Sequence, residues 1–284
     1  MISHTFSDSS RGTRIQKVLA EAGVASRRHC EVLIQEGRVR VNGQLITNLP
    51  AWVDPKLDSI HIDGVLLRQG GRTWASNNPN KTYLMVHKPK GVICSTAEPE
   101  GRRLITDLVD RSVPARIYPV GRLDADSTGL VLLTDDGELS NRLTHPRYQV
   151  SKQYLVSVKG KLGQEELARL RRGLFLTDRS HSDSGPRRTG MQRVQIMGQK
   201  TDRSRFDRTT LTIELREGRN REIRRLLARL GFRTRKLKRT AIGPLKLKGL
   251  APGQWRHLTT LEVRQLKKVA KISDQKIDPS KVAR

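Results

Sequence analysis

Apolar residues recur in two different rhythms along the chain, and the change of rhythm predicts its elements. From Arg14 to Ile46, Ile15, Val18 and Leu19 fall at helical spacing, and Gly23 stops that helix. Ser26 then offers an N-cap for a second helix bearing Val32 and Leu33, which Gly37 ends. The short runs VRV and QLI flank Asn42 and Gly43, and an Asn-Gly pair between apolar strands predicts a hairpin. Two short helices followed by a small strand unit are expected here.

Beyond Lys81 the rhythm shifts to strands alternating with helices. Tyr83 to Val86 predicts a buried strand, with Lys88, Pro89, Lys90 and Gly91 forming a turn after it. GLVLL, from Gly129, predicts another buried strand, and GELSNRLTHP predicts a helix with Leu139 and Leu143 inward, ended by Pro146. SKQYLVSVKG gives a strand carrying Tyr154, and GQEELARLRRG gives a helix with Leu167 and Leu170 on one face. Val194 and Ile196, then Leu211, Ile213 and Leu215, alternate as half-buried strands do. Ile223, Leu226, Leu227 and Leu230 mark an amphipathic helix, with Asn220 the expected N-cap and Gly231 the expected C-cap. The fold class expected is α+β: a small α/β unit, then a larger domain on a mixed, mainly antiparallel sheet.

Composition sets the boundaries. Residues 68–81 are rich in Gly, Asn, Ser and Pro and predict a linker, giving domains at 12–67 and 82–270. Residues 177–190 read as a long surface loop or hairpin tip, and 271–284 as a flexible polar tail. Within the 284 residues, 35% are hydrophobic, enough for a packed globule.

Charge narrows the function. Fifty-five Lys and Arg against 28 Asp and Glu leave a net charge of +27, so a polyanionic partner is expected, nucleic acid ahead of an anionic membrane. No apolar run approaches a membrane span, the first residues are polar, and 4% aromatic content supplies few anchors for a membrane-surface helix, so a cytoplasmic protein is expected. Cys30 and Cys94 form no CxxC pair, which argues against a zinc site or disulfide scaffold.

The candidate chemistry centres on PVGRLDADSTGLVLLTDDG, which places Asp124 on a turn between Gly121 and Gly129, just before an apolar strand. Asp, Ser and Gly are also ordinary loop residues whose side chains cap their own backbone. Arg14, Lys17, Arg27, Arg28, Arg38 and Arg40 crowd the first unit, where they could converge on phosphates or form a solvated face. A second basic cluster runs from Arg216 to Arg239 and includes Arg219, Arg221 and Arg225; a bound polyphosphate accounts for it better than a self-repelling helix face. Arg224, at the edge of the apolar stripe, is the arginine expected to turn inward and meet a buried carboxylate.

Two resemblances organise these residues. ASRRHCEVLIQEGRVRVNG, within residues 14–63, resembles the ribosomal-protein-S4-like RNA-binding module. HKPKGVICS, VGRLDADSTGLVLLTDDG, SKQYLV and EGRNREIRR, in that order, resemble the motifs of the RsuA-type ribosomal RNA pseudouridine synthases. GRNREIRR is similar to the subgroup acting on large-subunit (23S) rRNA, with small-subunit rRNA or tRNA remaining open. The resemblance implies isomerisation of a uridine in RNA without a metal or other cofactor. It makes Asp124 the catalytic carboxylate, acting as nucleophile or base, with Arg224 holding its charge. Tyr154 would stack on the extruded uracil and help move its C5 proton. Arg122, beside Asp124, takes a substrate role, and Lys88 joins Arg219, Arg221, Arg225 and the basic residues of the first unit as RNA contacts. The expected partner is ribosomal RNA or an assembling subunit, met by a monomer. The alternative from another class is a non-enzymatic rRNA-binding or assembly factor, which a degenerate catalytic trio would favour.

Overall fold

The computed structural model describes residues 6–67, 81–96, 100–110, 113, 116–176, 187–191, 193–201 and 207–274. The expected linker (apart from Lys81), the tip of the 177–190 loop and the end of the tail lie outside them. The chain divides into two compact units, Met1–Lys81 and Thr82–Arg284.

The first unit opens with β1 (Thr13–Arg14), α1 (Ile15–Glu21) and α2 (Arg27–Gln35). The strands β2 (Val39–Val41), β3 (Gln44–Ile46), β4 (Trp52–Val53), β5 (Ile60–Ile62) and β6 (Val65–Leu66) follow. Ser26 caps α2 by accepting a hydrogen bond from the His29 amide at 3.2 Å. Asn42 and Gly43 both take positive φ, 50° and 80°, which lets β2 turn back onto β3 through two residues. Ile15, Leu19, Cys30, Ile34, Val39 and Val41 form the core of this unit. Each helix and the hairpin therefore contribute one apolar face, leaving the basic side chains outside.

In the second unit β7 (Tyr83–Lys88), β8 (Tyr118–Val120) and β9 (Thr128–Thr134) lead into α3 (Gly137–Thr144), β10 (Lys152–Lys159) and α4 (Gln164–Arg172). A hairpin of β11 (Leu174–Leu176) and β12 (Arg187–Thr189) precedes β13 (Arg193–Thr201), β14 (Asp207–Leu215) and α5 (Glu222–Arg229). β15 (Thr234–Ile242), β16 (Leu245–Lys246), β17 (Trp255–His257) and α6 (Thr260–Asp274) complete it. The main sheet has the order β13-β14-β10-β15-β9-β7-β17, with β16 on β15 and β8 on β9. Its described strand pairs are antiparallel except β9 with β15, which run parallel at Lys238↔Thr128 and Arg239↔Gly129.

Helices cover both faces of this sheet, which is why β9 reads as an unbroken apolar run. Val131 and Leu133 pack on one face with Leu167 and Leu170 of α4 and Ile223, Leu226 and Leu227 of α5. Leu130 and Leu132 pack on the other with Leu139 and Leu143 of α3 and Leu266 of α6. The helix α6 was not foreseen, and its backbone runs to Asp274, inside the segment expected to be tail.

Two backbone details differ from expectation. Asn220 does not cap α5: Arg221 occupies the N-cap position in a left-handed conformation, φ 48°, with no side-chain cap bond. Gly121 does turn the chain, at φ 72°, but Gly129 lies within β9. A Cβ there would stand 2.2 Å from the Arg239 carbonyl oxygen, so its glycine serves the close approach of β15.

Candidate active site

The seam where β9 meets β15 carries the loop that presents Asp124, residues 121–127. Beneath it lies Lys88, expected among the RNA contacts and in a turn. It is instead the last residue of β7 and fully buried. Its amine donates to the backbone oxygens of Pro89 at 3.0 Å, Ala125 at 3.3 Å and Ser127 at 2.7 Å. Burial pushes its pKa down, opposed by the Cys94 thiol and the carboxylates of Asp126 and Asp124. An ammonium satisfied by three carbonyls inside the protein cannot reach a phosphate, so Lys88 holds the loop in shape. The Gly91 amide adds a 2.7 Å bond to the Ala125 carbonyl, and the Ser127 amide closes a turn onto the Asp124 carbonyl at 3.0 Å.

Two arginines from the start of α5 meet the loop. Arg224 Nε lies 3.5 Å from Asp124 Oδ2, while its Nη2 is 3.0 Å from Asp126 Oδ2 and donates to Ser127 Oγ at 3.1 Å. One guanidinium thus spans both carboxylates of the DAD sequence, and its side chain is only 12% exposed. Arg221, expected among the RNA contacts, makes the shorter contact to Asp124: Nη1 donates to Oδ2 at 3.0 Å. The left-handed N-cap brings Arg221 to this carboxylate from outside, whereas Arg224, one turn on, approaches from the buried side. Asp124 itself is 33% exposed, accessible yet flanked by two cations. A carboxylate so held is fixed in orientation and open to a substrate for attack or proton transfer.

The surrounding cleft has a volume of about 160 Å³. Tyr154 on β10, Arg122 and Arg219 border it together with Asp124, Arg221 and Arg224. The strand β10 explains Tyr154: Lys152, Tyr154, Val156 and Val158 point inward in alternation, so the ring stands on the core face, 7% exposed. Leu123, Leu215, Ile223 and Leu237 supply apolar wall. Arg122 is exposed, Arg219 pairs with Glu217 at 3.1 Å, and Arg225 is half-buried on α5.

Three further charged residues reach the cleft: Lys152 and Glu222, to which the motifs give no role, and Arg239, expected with the polyphosphate-binding cluster. The alternation that assigned Tyr154 inward also assigns Lys152 inward, two residues earlier, and Arg239 shares the phase of Leu237 on β15. That signal was present in the sequence. Among the described residues no cluster of three or more His, Cys, Asp or Glu side chains could hold a metal ion.

In the first unit, Arg27 and Arg28 are exposed and make no ion pair among the described residues. Arg14 lies over the Trp52 ring at 5.6 Å, Lys17 lies 3.7 Å from Glu21, and Arg38 is held by Asp63 at 2.6 Å. Of the expected RNA contacts here, Arg27 and Arg28 have the freest guanidinium groups.

Comparison with known proteins agrees with this division. Residues 82–229 match the family described as RNA pseudouridylate synthase, and residues 13–49 match the S4 domain. The chain is 40% identical over 254 residues, 89% of its length, to an uncharacterized RNA pseudouridine synthase of Aquifex aeolicus, covering 93% of that protein. It is 38% identical over 257 residues, 90% of its length, to ribosomal large subunit pseudouridine synthase B of Bacillus subtilis, covering 96% of it. A solved pseudouridylate synthase, 27% identical, superposes with a TM-score of 0.57, covering 90% of this chain and 100% of that one.

Proposed function

Because the chain belongs to the RNA pseudouridylate synthase family and carries an S4 domain, we propose that it converts a specific uridine of large-subunit ribosomal RNA into pseudouridine. The observation that carries the assignment to a site is the Asp124 carboxylate, paired to Arg221 and Arg224 in a cleft it shares with Tyr154.

The reaction breaks the bond between uracil N1 and ribose C1′, turns the base, joins C5 to C1′ and releases the C5 proton. Every atom of the nucleotide except that proton is retained, and N1 gains one in return, so no co-reactant is consumed. Asp124 acts on the ribose or the uracil as nucleophile, or on the ribose as base. Arg224 fixes its orientation and offsets its charge in a cleft walled in part by Leu123, Leu215, Ile223 and Leu237. A uridine must leave its stack to reach such a cleft, and Tyr154 offers it a ring to pack against. Arg122, exposed at the rim, holds the neighbouring backbone.

The exposed arginines of the first unit supply affinity and register on the RNA. Among the described residues no helix is long and apolar enough to cross a membrane, and a cytoplasmic location is proposed for the protein from the work on ribosomal RNA. It acts as a monomer on rRNA or on an assembling subunit. A non-enzymatic assembly factor would not need Asp124, Tyr154 and Arg224 together in one cleft.

The test is Asp124→Ala. Pseudouridine formation in large-subunit rRNA is expected to vanish while rRNA affinity changes little, because binding rests on dispersed Lys and Arg. Retained turnover in this variant would refute the assignment.

A further inference from the structure

Lys152, Glu222 and Arg239 hold hydrogen-bonding capacity at the cleft that the fold leaves unused. Arg239 is 2% exposed; its Nε donates to the Leu130 carbonyl at 2.7 Å, but its buried Nη2 has no partner among the described residues. Lys152 is 9% exposed, and among the described residues its amine makes one bond, 3.1 Å to the Val150 carbonyl. Glu222 is 3% exposed and accepts from the Arg219 amide through Oε2 at 3.0 Å. No ion pair joins Glu222 to either cation among the described residues. A buried donor without an acceptor destabilises a fold, so one retained at the border of a cleft calls for an explanation.

The electrostatics agree with the geometry. Burial and then the neighbouring Arg239 push the Lys152 amine down to about 8, with Glu222 acting in the opposite direction. Burial pushes the Glu222 carboxyl up. Two cations and one carboxyl group are thus kept in a dry wall without cancelling one another.

Their placement is defined by the strands. Lys152 and Tyr154 lie two residues apart on the core face of β10, and Arg239 is the register partner of Tyr154 on β15. Glu222 begins α5, two residues before Arg224. The set therefore adjoins the ring that receives the base, in the cleft that also holds Asp124.

We propose that Lys152, Glu222 and Arg239 read the Watson–Crick edge of the extruded uracil: the two cations donate to its carbonyl oxygens, and Glu222 accepts from N3–H. This rests on the pseudouridine synthase reading of the site. Uracil presents acceptor, donor and acceptor along that edge, the complement of these three groups. Cytosine presents an unprotonated N3 to the carboxylate and an amino donor to a cation, which leaves buried groups unpaired. The same cations serve the chemistry. When the N1–C1′ bond breaks, its electron pair remains with the base and spreads onto O2 and O4, where preorganised donors lower the barrier.

The experiment measures single-turnover rates of the full chain on an rRNA fragment whose target uridine is replaced by 2-thiouridine or 4-thiouridine. Sulfur accepts hydrogen bonds poorly, yet it makes the base easier to detach, so a loss of rate reports the lost bond. At least one replacement is expected to slow the wild-type chain about tenfold or more, the usual size for a bond to a charged group. Lys152→Met is expected to slow uridine turnover similarly and to abolish the penalty for one sulfur, while Lys152→Arg keeps most of both. Arg239→Gln is expected to abolish the penalty for the other. Since Arg239 also binds the Leu130 carbonyl, misfolding of that variant leaves the Lys152 variants and the wild-type rates to decide. Wild-type rates indifferent to both sulfurs, or an undiminished sulfur penalty in Lys152→Met, would overturn the inference. Failure of the wild-type chain to form pseudouridine in any rRNA would instead refute the reading of the site.

Discussion

On α2 of the first unit, Arg27 and Arg28 stand exposed and unpaired among the described residues, whereas in the second unit Arg224 is mostly buried between two carboxylates and Arg239 is nearly sealed from solvent. The residue type is the same and the work is different. Exposed guanidinium groups on a small helical unit can meet any phosphate, and the contribution proposed for them is affinity that salt screens. Guanidinium groups fixed by α5 and β15 meet one geometry only, and in the proposed reaction they act at the bond being broken. A net charge of +27 announces the first use and conceals the second.

The largest separation between the two sets is expected from Arg224→Ala. Losing its grip on Asp124 and Asp126 should lower the single-turnover rate by roughly 10²–10³-fold, the scale of losing one preorganised charged group, with little change in RNA affinity. Arg224→Lys should recover only part, because an ammonium cannot span both carboxylates and Ser127. A rate within threefold of wild type in Arg224→Ala, roughly 0.7 kcal/mol, would erase the distinction.

Next in size is Gly129→Ala, which examines the rigidity of the seam. The new methyl group would meet the Arg239 backbone at 2.2 Å with φ at 112°. Denaturant unfolding should show a loss of about 3 kcal/mol or more. A loss below about 0.5 kcal/mol, the range of neutral surface changes, would mean the seam is not as tight as drawn.

Arg27→Gln with Arg28→Gln probes the other side. Affinity for rRNA should fall and the slope of log K against log salt should flatten by roughly 1 to 2, while the rate at saturating RNA stays at the wild-type value. A changed saturating rate with an unchanged slope would reverse the roles assigned to the two arginine sets.

The smallest effect concerns the Arg256–Glu262 pair that ties β17 to α6, at 2.7 Å. The hydrogen bond from Arg256 lowers the Glu262 carboxyl to about 2, from 4.5. A depressed carboxyl contributes stability fully present above its unfolded value and lost as pH falls from about 4.5 through about 2. Glu262→Gln should therefore lower stability at neutral pH by about 1 kcal/mol or less, given the partial exposure of the pair, with the difference fading below pH 3. A difference that persists in acid would assign the effect to packing.

Much of this architecture is legible in the sequence. Ser26, the Asn42-Gly43 turn, the alternation of β10 and the stripe of α5 all report local physics, and local physics is written in neighbouring residues. Lys88, beside Pro-Gly in a basic chain, looks like surface; its burial depends on the Ala125 and Ser127 carbonyls, supplied by a loop 37 to 39 residues away. Gly129 was read as a turn residue because the strand that crowds it, β15, lies more than a hundred residues later in the sequence. Arg221 was placed with the RNA contacts, since nothing local signals the left-handed N-cap that turns it to Asp124. Lys152 and Arg239 differ again: the alternation of β10 and β15 marks both as inward, but a motif of one acid, one aromatic and one arginine gives Lys152 no role and leaves Arg239 with the basic cluster.

In the proposed function Asp124 performs chemistry on ribosomal RNA while the exposed basic surface delivers the protein there. Pseudouridine mapping across rRNA from cells carrying either the wild-type chain or Asp124→Ala tests it most directly. A pseudouridine in large-subunit rRNA present with the wild-type chain is expected to be absent with Asp124→Ala, although both proteins bind rRNA alike. An identical pseudouridine map in the two cells would contradict it.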